Sequence, residues 1–74
     1  MTDSLIVKVK TEKKHIAYVN FIVEAYDGMA VVRTADPEEG LLEILVSPDF
    51  KEDFNKLAEA LGKEIPFMVL LDTV

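Results

Sequence analysis

The sequence predicts an α+β fold, a four-stranded antiparallel sheet of spatial order 4-1-3-2 with two helices on one face. Three observations carry this. Apolar residues alternate with period two in four short stretches, and they recur with helical spacing in two others. The stretches follow one another as strand, helix, strand, strand, helix, strand, with a glycine-containing loop between the middle strands.

Leu5 to Lys10 places Leu5, Val7 and Val9 on one face and Ile6, Lys8 and Lys10 on the other, the pattern of a half-buried strand. Thr11 suits the cap of a following helix, and Glu12 suits its positive end. Ile16, Val19, Ile22, Val23 and Tyr26 form one helical face, which Asp27-Gly28 ends because glycine readily takes the left-handed conformation. Met29 to Ala35 and Leu41 to Ser47 are strands joined by Asp36-Pro37-Glu38-Glu39-Gly40. If Ala35 pairs with Leu41, Arg33 lies opposite Glu43 and Val32 opposite Ile44, an ion pair on one face and a β-branched pair on the other.

Ser47-Pro48-Asp49 opens the second helix. Either Ser47 caps with Pro48 at the first helical position, or Asp49 caps with Glu52 completing a capping box. Phe50, Phe54, Leu57, Ala58 and Leu61 make its apolar stripe, and Gly62 is expected to end it. Pro66 to Thr73 supplies the last strand, with Phe67, Val69 and Leu71 on one face. Right-handed crossovers around a shared core turn these elements into the ferredoxin-like plait, one domain over residues 1–74.

The helix-facing side of the sheet takes Leu5, Val7, Val9, Ala30, Val32, Leu42, Ile44, Val46, Phe67, Val69 and Leu71, which completes a core with the two helix stripes. Apolar residues are left over. The other sheet face carries Ile6, Val31, Leu41, Leu45, Met68 and Leu70 around Lys8, Arg33 and Glu43, and helix one adds Tyr18, Phe21 and Ala25 opposite its core stripe. So small a domain is marginally stable alone, and clustered apolar surface points to association, through either face, with a second copy or a protein partner.

Half of the 74 residues are apolar, the net charge is -6, and there is no cysteine. These exclude disulfide frameworks, thiolate metal sites and a generic nucleic-acid binder. The whole excess of acid falls after residue 37, and near-absence of Asn and Gln fits a thermophilic source. Met1 to Lys8 has no basic cluster ahead of an apolar run, and Ile65 to Leu71 is too short to span a bilayer, so a cytoplasmic protein that binds neither membrane nor nucleic acid is expected.

Candidate chemistry is sparse. His15, the single histidine, reads as a surface residue without a carboxylate partner. Asp36, Glu38 and Glu39 lack the spaced oxygen ligands of a calcium loop, and Asp49, Glu52 and Asp53 suit a helix N-terminus. The open-face positions that stack bases in RNA-recognition domains hold Ile6, Lys8, Leu41, Glu43 and Leu45, with no aromatic. No catalytic residue, metal site or cofactor is expected.

The βαββαβ order over the whole chain resembles ACT-like domains, small modules that often dimerise and bind amino acids at subunit interfaces. The first loop, Lys10 to His15, lacks their Asp-x-Pro-Gly-like turn. Glu24-Ala-Tyr-Asp-Gly-Met-Ala-Val-Val-Arg-Thr-Ala-Asp-Pro-Glu-Glu-Gly40, with Ser47-Pro-Asp-Phe50, is similar to a family of small uncharacterised bacterial proteins. Together these imply a homo-oligomeric ACT-like protein with a binding or regulatory role and a small-molecule ligand. The alternatives are an adaptor docking through its apolar sheet face and a small dimeric plait enzyme with an interfacial cleft at His15 or Arg33.

Overall fold

The computed structural model describes residues 5–72. Its elements are β1 (Leu5–Lys10), α1 (Ile16–Glu24), β2 (Ala30–Asp36), β3 (Leu41–Val46), α2 (Lys51–Glu64) and β4 (Met68–Asp72). One 3₁₀ turn, Lys13–His15, leads into α1, and another, Pro48–Phe50, leads into α2. The sheet runs β2-β3-β1-β4 with every neighbouring pair antiparallel, the plait order expected from the sequence.

Val7, Val9, Leu42, Ile44 and Val46 are buried and meet Val19 and Val23 of α1 and Phe54 of α2. Leu5, Ala30, Val32, Leu57 and Phe67 pack around this cluster while keeping some exposure. Such burial is the chief favourable term of the fold, at about 25 cal/mol per Å² of apolar area. Met29, expected to begin a strand, instead lies buried between α1 and β2. Its N–H donates to the Tyr26 carbonyl at 3.2 Å, and its own carbonyl accepts from Ser47 N–H at 2.9 Å, which fastens the start of β2 to the end of β3.

Several sequence expectations need correction. Helix α1 stops at Glu24, two residues before Tyr26, which is 49% exposed and outside the core. Gly28 does take the left-handed conformation, at φ 75°. Thr11 caps no helix, for its buried hydroxyl donates to the Pro66 carbonyl. Neither Ser47 nor Asp49 caps α2 by a side-chain hydrogen bond, although Pro48 holds the first position of the lead-in turn.

Gly62 does not end α2, which runs on to Glu64. The terminator is Pro66, since a residue before proline is driven out of the helical region, and Ile65 is extended at φ -141° and ψ 162°.

The expected hairpin register holds at Arg33 opposite Glu43 and Val32 opposite Ile44. It shifts at the loop, where Asp36 rather than Ala35 stands opposite Leu41, so Ala35 is the extra residue of a β-bulge. The Asp36 carboxylate accepts the N–H groups of Glu38 and Glu39 at 3.1 and 3.3 Å and shapes the turn from within it.

β4 begins at Met68, later than expected, and the Thr73 assigned to it lies outside the described residues. Val9 stands opposite Val69 but Lys8 stands opposite Leu71, which makes Leu70 a second bulge residue. Leu71, expected on the helix side, stands opposite Lys8 in this register. Val69 holds its expected row beside Val9 yet is 43% exposed, because β4 is an edge strand.

Candidate functional site

The sheet face turned away from the helices is built from cross-strand rows. Val31, Leu45 and Ile6 form one, and Leu41, Lys10 and Met68 another. Between them run Arg33, Glu43 and Lys8 on β2, β3 and β1. Glu43 is the hub, with Arg33 Nη2 3.1 Å from Oε1 and Lys8 Nζ 3.8 Å from Oε2. The three charges therefore pair within the chain and leave one positive charge on the face. Val31 and Met68 are each 61% exposed, while Ile6, Leu41 and Leu45 are half-buried. Leu70, exposed at its bulge, flanks the charged row.

At one end of the sheet the loop after β1 meets the tip of the β2–β3 hairpin. Thr11 N–H donates to the Gly40 carbonyl at 2.8 Å, and Gly40 at φ 69° lets the two backbones approach. Lys13 Nζ donates to Glu38 Oε2 at 2.7 Å, Lys10 Nζ to the Glu39 carbonyl at 2.6 Å, and Lys14 lies 3.8 Å from Glu12. A wide depression of about 860 Å³ lies over this corner, and its lysines all have carboxylate or carbonyl partners in the chain. No unmet charge is left there to select a ligand. His15, expected to lack a carboxylate, has its Nε2 3.6 Å from Glu12 Oε1. Among the described residues no group of three His, Cys, Asp or Glu side chains could hold a metal ion.

The helix side carries a groove of about 430 Å³ between α1 and α2. Tyr18, Ile22 and Tyr26 line it from α1 and the residues just after, with Leu57, Leu61 and Glu64 from α2. The small side chains of Ala25 and Ala60 leave it room. The Tyr18 hydroxyl crosses between the helices to donate to Glu64 Oε1 at 2.6 Å. Donating that hydrogen bond, together with some desolvation and the carboxylate's charge, raises the Tyr18 pKa above its ordinary 10.0. Of the helix-one residues left over in the sequence, Tyr18 and Ala25 thus line the groove, while Phe21 projects into solvent at 69% exposure. Glu64 lies beyond the glycine expected to end the helix. Its i+3 spacing from Leu61 signals that the helix runs past Gly62, but not the space between the helices.

A family model described as a domain of unknown function, DUF4911, matches residues 9–65. The chain belongs to the DUF4911 family. The DUF4911 match takes in α1, the β2–β3 hairpin and α2, and it contains both segments, Glu24 to Gly40 and Ser47 to Phe50, on which the likeness to small bacterial proteins was drawn. The likeness of this DUF4911 chain to ACT domains rests on topology alone. No curated protein and no solved structure matches it. No helix of the described residues is long and apolar enough to cross a membrane.

Proposed function

We propose that this DUF4911 chain is a small ACT-like binding or regulatory protein that works as a homodimer closed through the open face of its sheet. The observation that carries the reading is the pair of largely apolar rows, Val31–Leu45–Ile6 and Leu41–Lys10–Met68, flanking the Arg33–Glu43–Lys8 row. An apolar surface gains by burial, and with Glu43 set between Arg33 and Lys8 only one net positive charge of the row is left to desolvate. The +, −, + order of the charged row also suits a two-fold contact offset by one strand, in which Arg33 of each copy meets Glu43 of the other.

Solution mass tests this. The protein at high micromolar concentration should weigh twice 8.3 kDa, and Leu45→Lys should bring it to 8.3 kDa with its far-ultraviolet spectrum intact. Phe21→Lys, on the helix side, should leave the dimer alone. A monomeric parent, or dissociation by Phe21→Lys and not by Leu45→Lys, defeats the sheet-face dimer.

A further inference from the structure

The groove between α1 and α2 lies across the sheet from the proposed dimer face, and its chemistry is different. Its walls are largely apolar, with hydroxyls on Tyr18 and Tyr26, and its one charged lining residue is Glu64. Two features fit that carboxylate to a cation. Among the described residues no lysine, arginine or histidine pairs with it, as is also so for Glu24, Glu52 and Glu59, but Glu64 alone of these four lines a groove. It is also the last residue of a 14-residue helix, where the negative end of the helix dipole disfavours an anion. The Tyr18 hydroxyl uses one carboxylate oxygen and leaves the second open.

We propose that the interhelical groove binds a small apolar primary amine, its hydrocarbon body against Ile22, Leu57 and Leu61 and its ammonium on the free oxygen of Glu64. The charge complementarity is specific to a cation. An ammonium offsets both the unpaired carboxylate and the dipole end, and a carboxylate ligand would meet repulsion from each. The volume of about 430 Å³ falls within the range of about 300–1,000 Å³ usual for small-molecule sites, apolar with few convergent polar groups. This site does not depend on the sheet-face dimer.

The chain supplies its own reporter. It has two tyrosines and no tryptophan, and both tyrosines, Tyr18 and Tyr26, line the groove. Tyrosine fluorescence is therefore read against hexylamine, hexanol and hexanoate, which share a six-carbon chain, in an amine-free buffer. Hexylamine should give a saturable change and bind roughly three- to tenfold more tightly than hexanol, with hexanoate weakest. Glu64→Gln should keep the folded spectrum and reduce hexylamine to the affinity of hexanol. Tyr18→Phe, read through Tyr26, should keep the preference for the amine. No saturable change, equal binding of amine and alcohol by the parent, or an amine preference surviving in Glu64→Gln would each overturn the proposal. Because the readout is local to the helices, it is separable from a failure of the dimer.

Discussion

Thr11 and Gly40 hold each other's backbones, with the Thr11 N–H 2.8 Å from the Gly40 carbonyl and Gly40 in the left-handed region at φ 69°. A side-chain carbon at Gly40 would land on the Thr11 carbonyl oxygen. At Gly28, which has a similar φ of 75°, the same carbon would meet nothing within 4 Å.

The two glycines therefore separate strain from collision. Gly28→Ala should cost only the left-handed penalty, about 1–2 kcal/mol. Gly40→Ala should cost more than that, because the penalty is joined by displacement of a buried backbone contact. Equal urea midpoints for the two variants would mean that the corner is not closed as described.

Ile44 is fully buried at the centre of the sheet, whereas Val32 and Leu57 keep partial exposure. Ile44→Ala should cost about 2–5 kcal/mol through lost transfer energy and a residual cavity. Leu57→Ala and Val32→Ala should cost less, in proportion to the surface already wet. Chemical denaturation that ranked Ile44→Ala mildest of the three would contradict the arrangement of the core.

Tyr18 supplies a pH prediction. Its hydroxyl donates to Glu64, so the folded state holds its pKa above the ordinary 10.0 of the unfolded chain. A raised folded pKa stabilises the fold fully below the unfolded value, and that contribution fades as pH climbs through the folded one. Stability should thus fall as pH rises above about 10, and Tyr18→Phe should fall less over the same range. Parallel curves for parent and variant would show that the interhelical hydrogen bond does not persist in solution.

Glu43 pairs with two cations at once. Glu43→Ala leaves Lys8 and Arg33 without their shared carboxylate and should lower stability by about 0.5–1 kcal/mol at low salt. High salt should shrink the difference, since the charges lie on an open face. A difference that grows with salt would point to packing rather than charge as its origin.

Much of the fold was legible because its signals were redundant. Val7 and Val9 alternate, Val19 and Val23 repeat at helical spacing, and Arg33 and Glu43 name their register by charge. The hairpin loop was misjudged by one residue because nothing in a short polar run distinguishes Ala35 as a bulge, and the Asp36 carboxylate that organises the turn acts only once the turn exists. Gly62 reads as a stop because glycine weakens helices by about 1 kcal/mol, an amount that the packing of Phe54 and Leu61 ahead of it readily offsets. The charged row of the open face was readable from strand alternation. The groove was not, since it depends on how far apart two helices lie on a sheet, which no local pattern encodes.

The two bulges share a placement with a wider consequence. Ala35 interrupts β2 and Leu70 interrupts β4, and these are the two strands at the margins of the sheet. A margin invites a stranger's backbone only where its free N–H and C=O groups form a straight, regular run. Here each run is kinked by one surplus residue, so neither margin is a template for endless lateral growth. Copies meeting face to face, as proposed, would close upon themselves and stop at a finite particle, with exposed Ala35 and half-exposed Leu70 the two residues that spoil lateral growth.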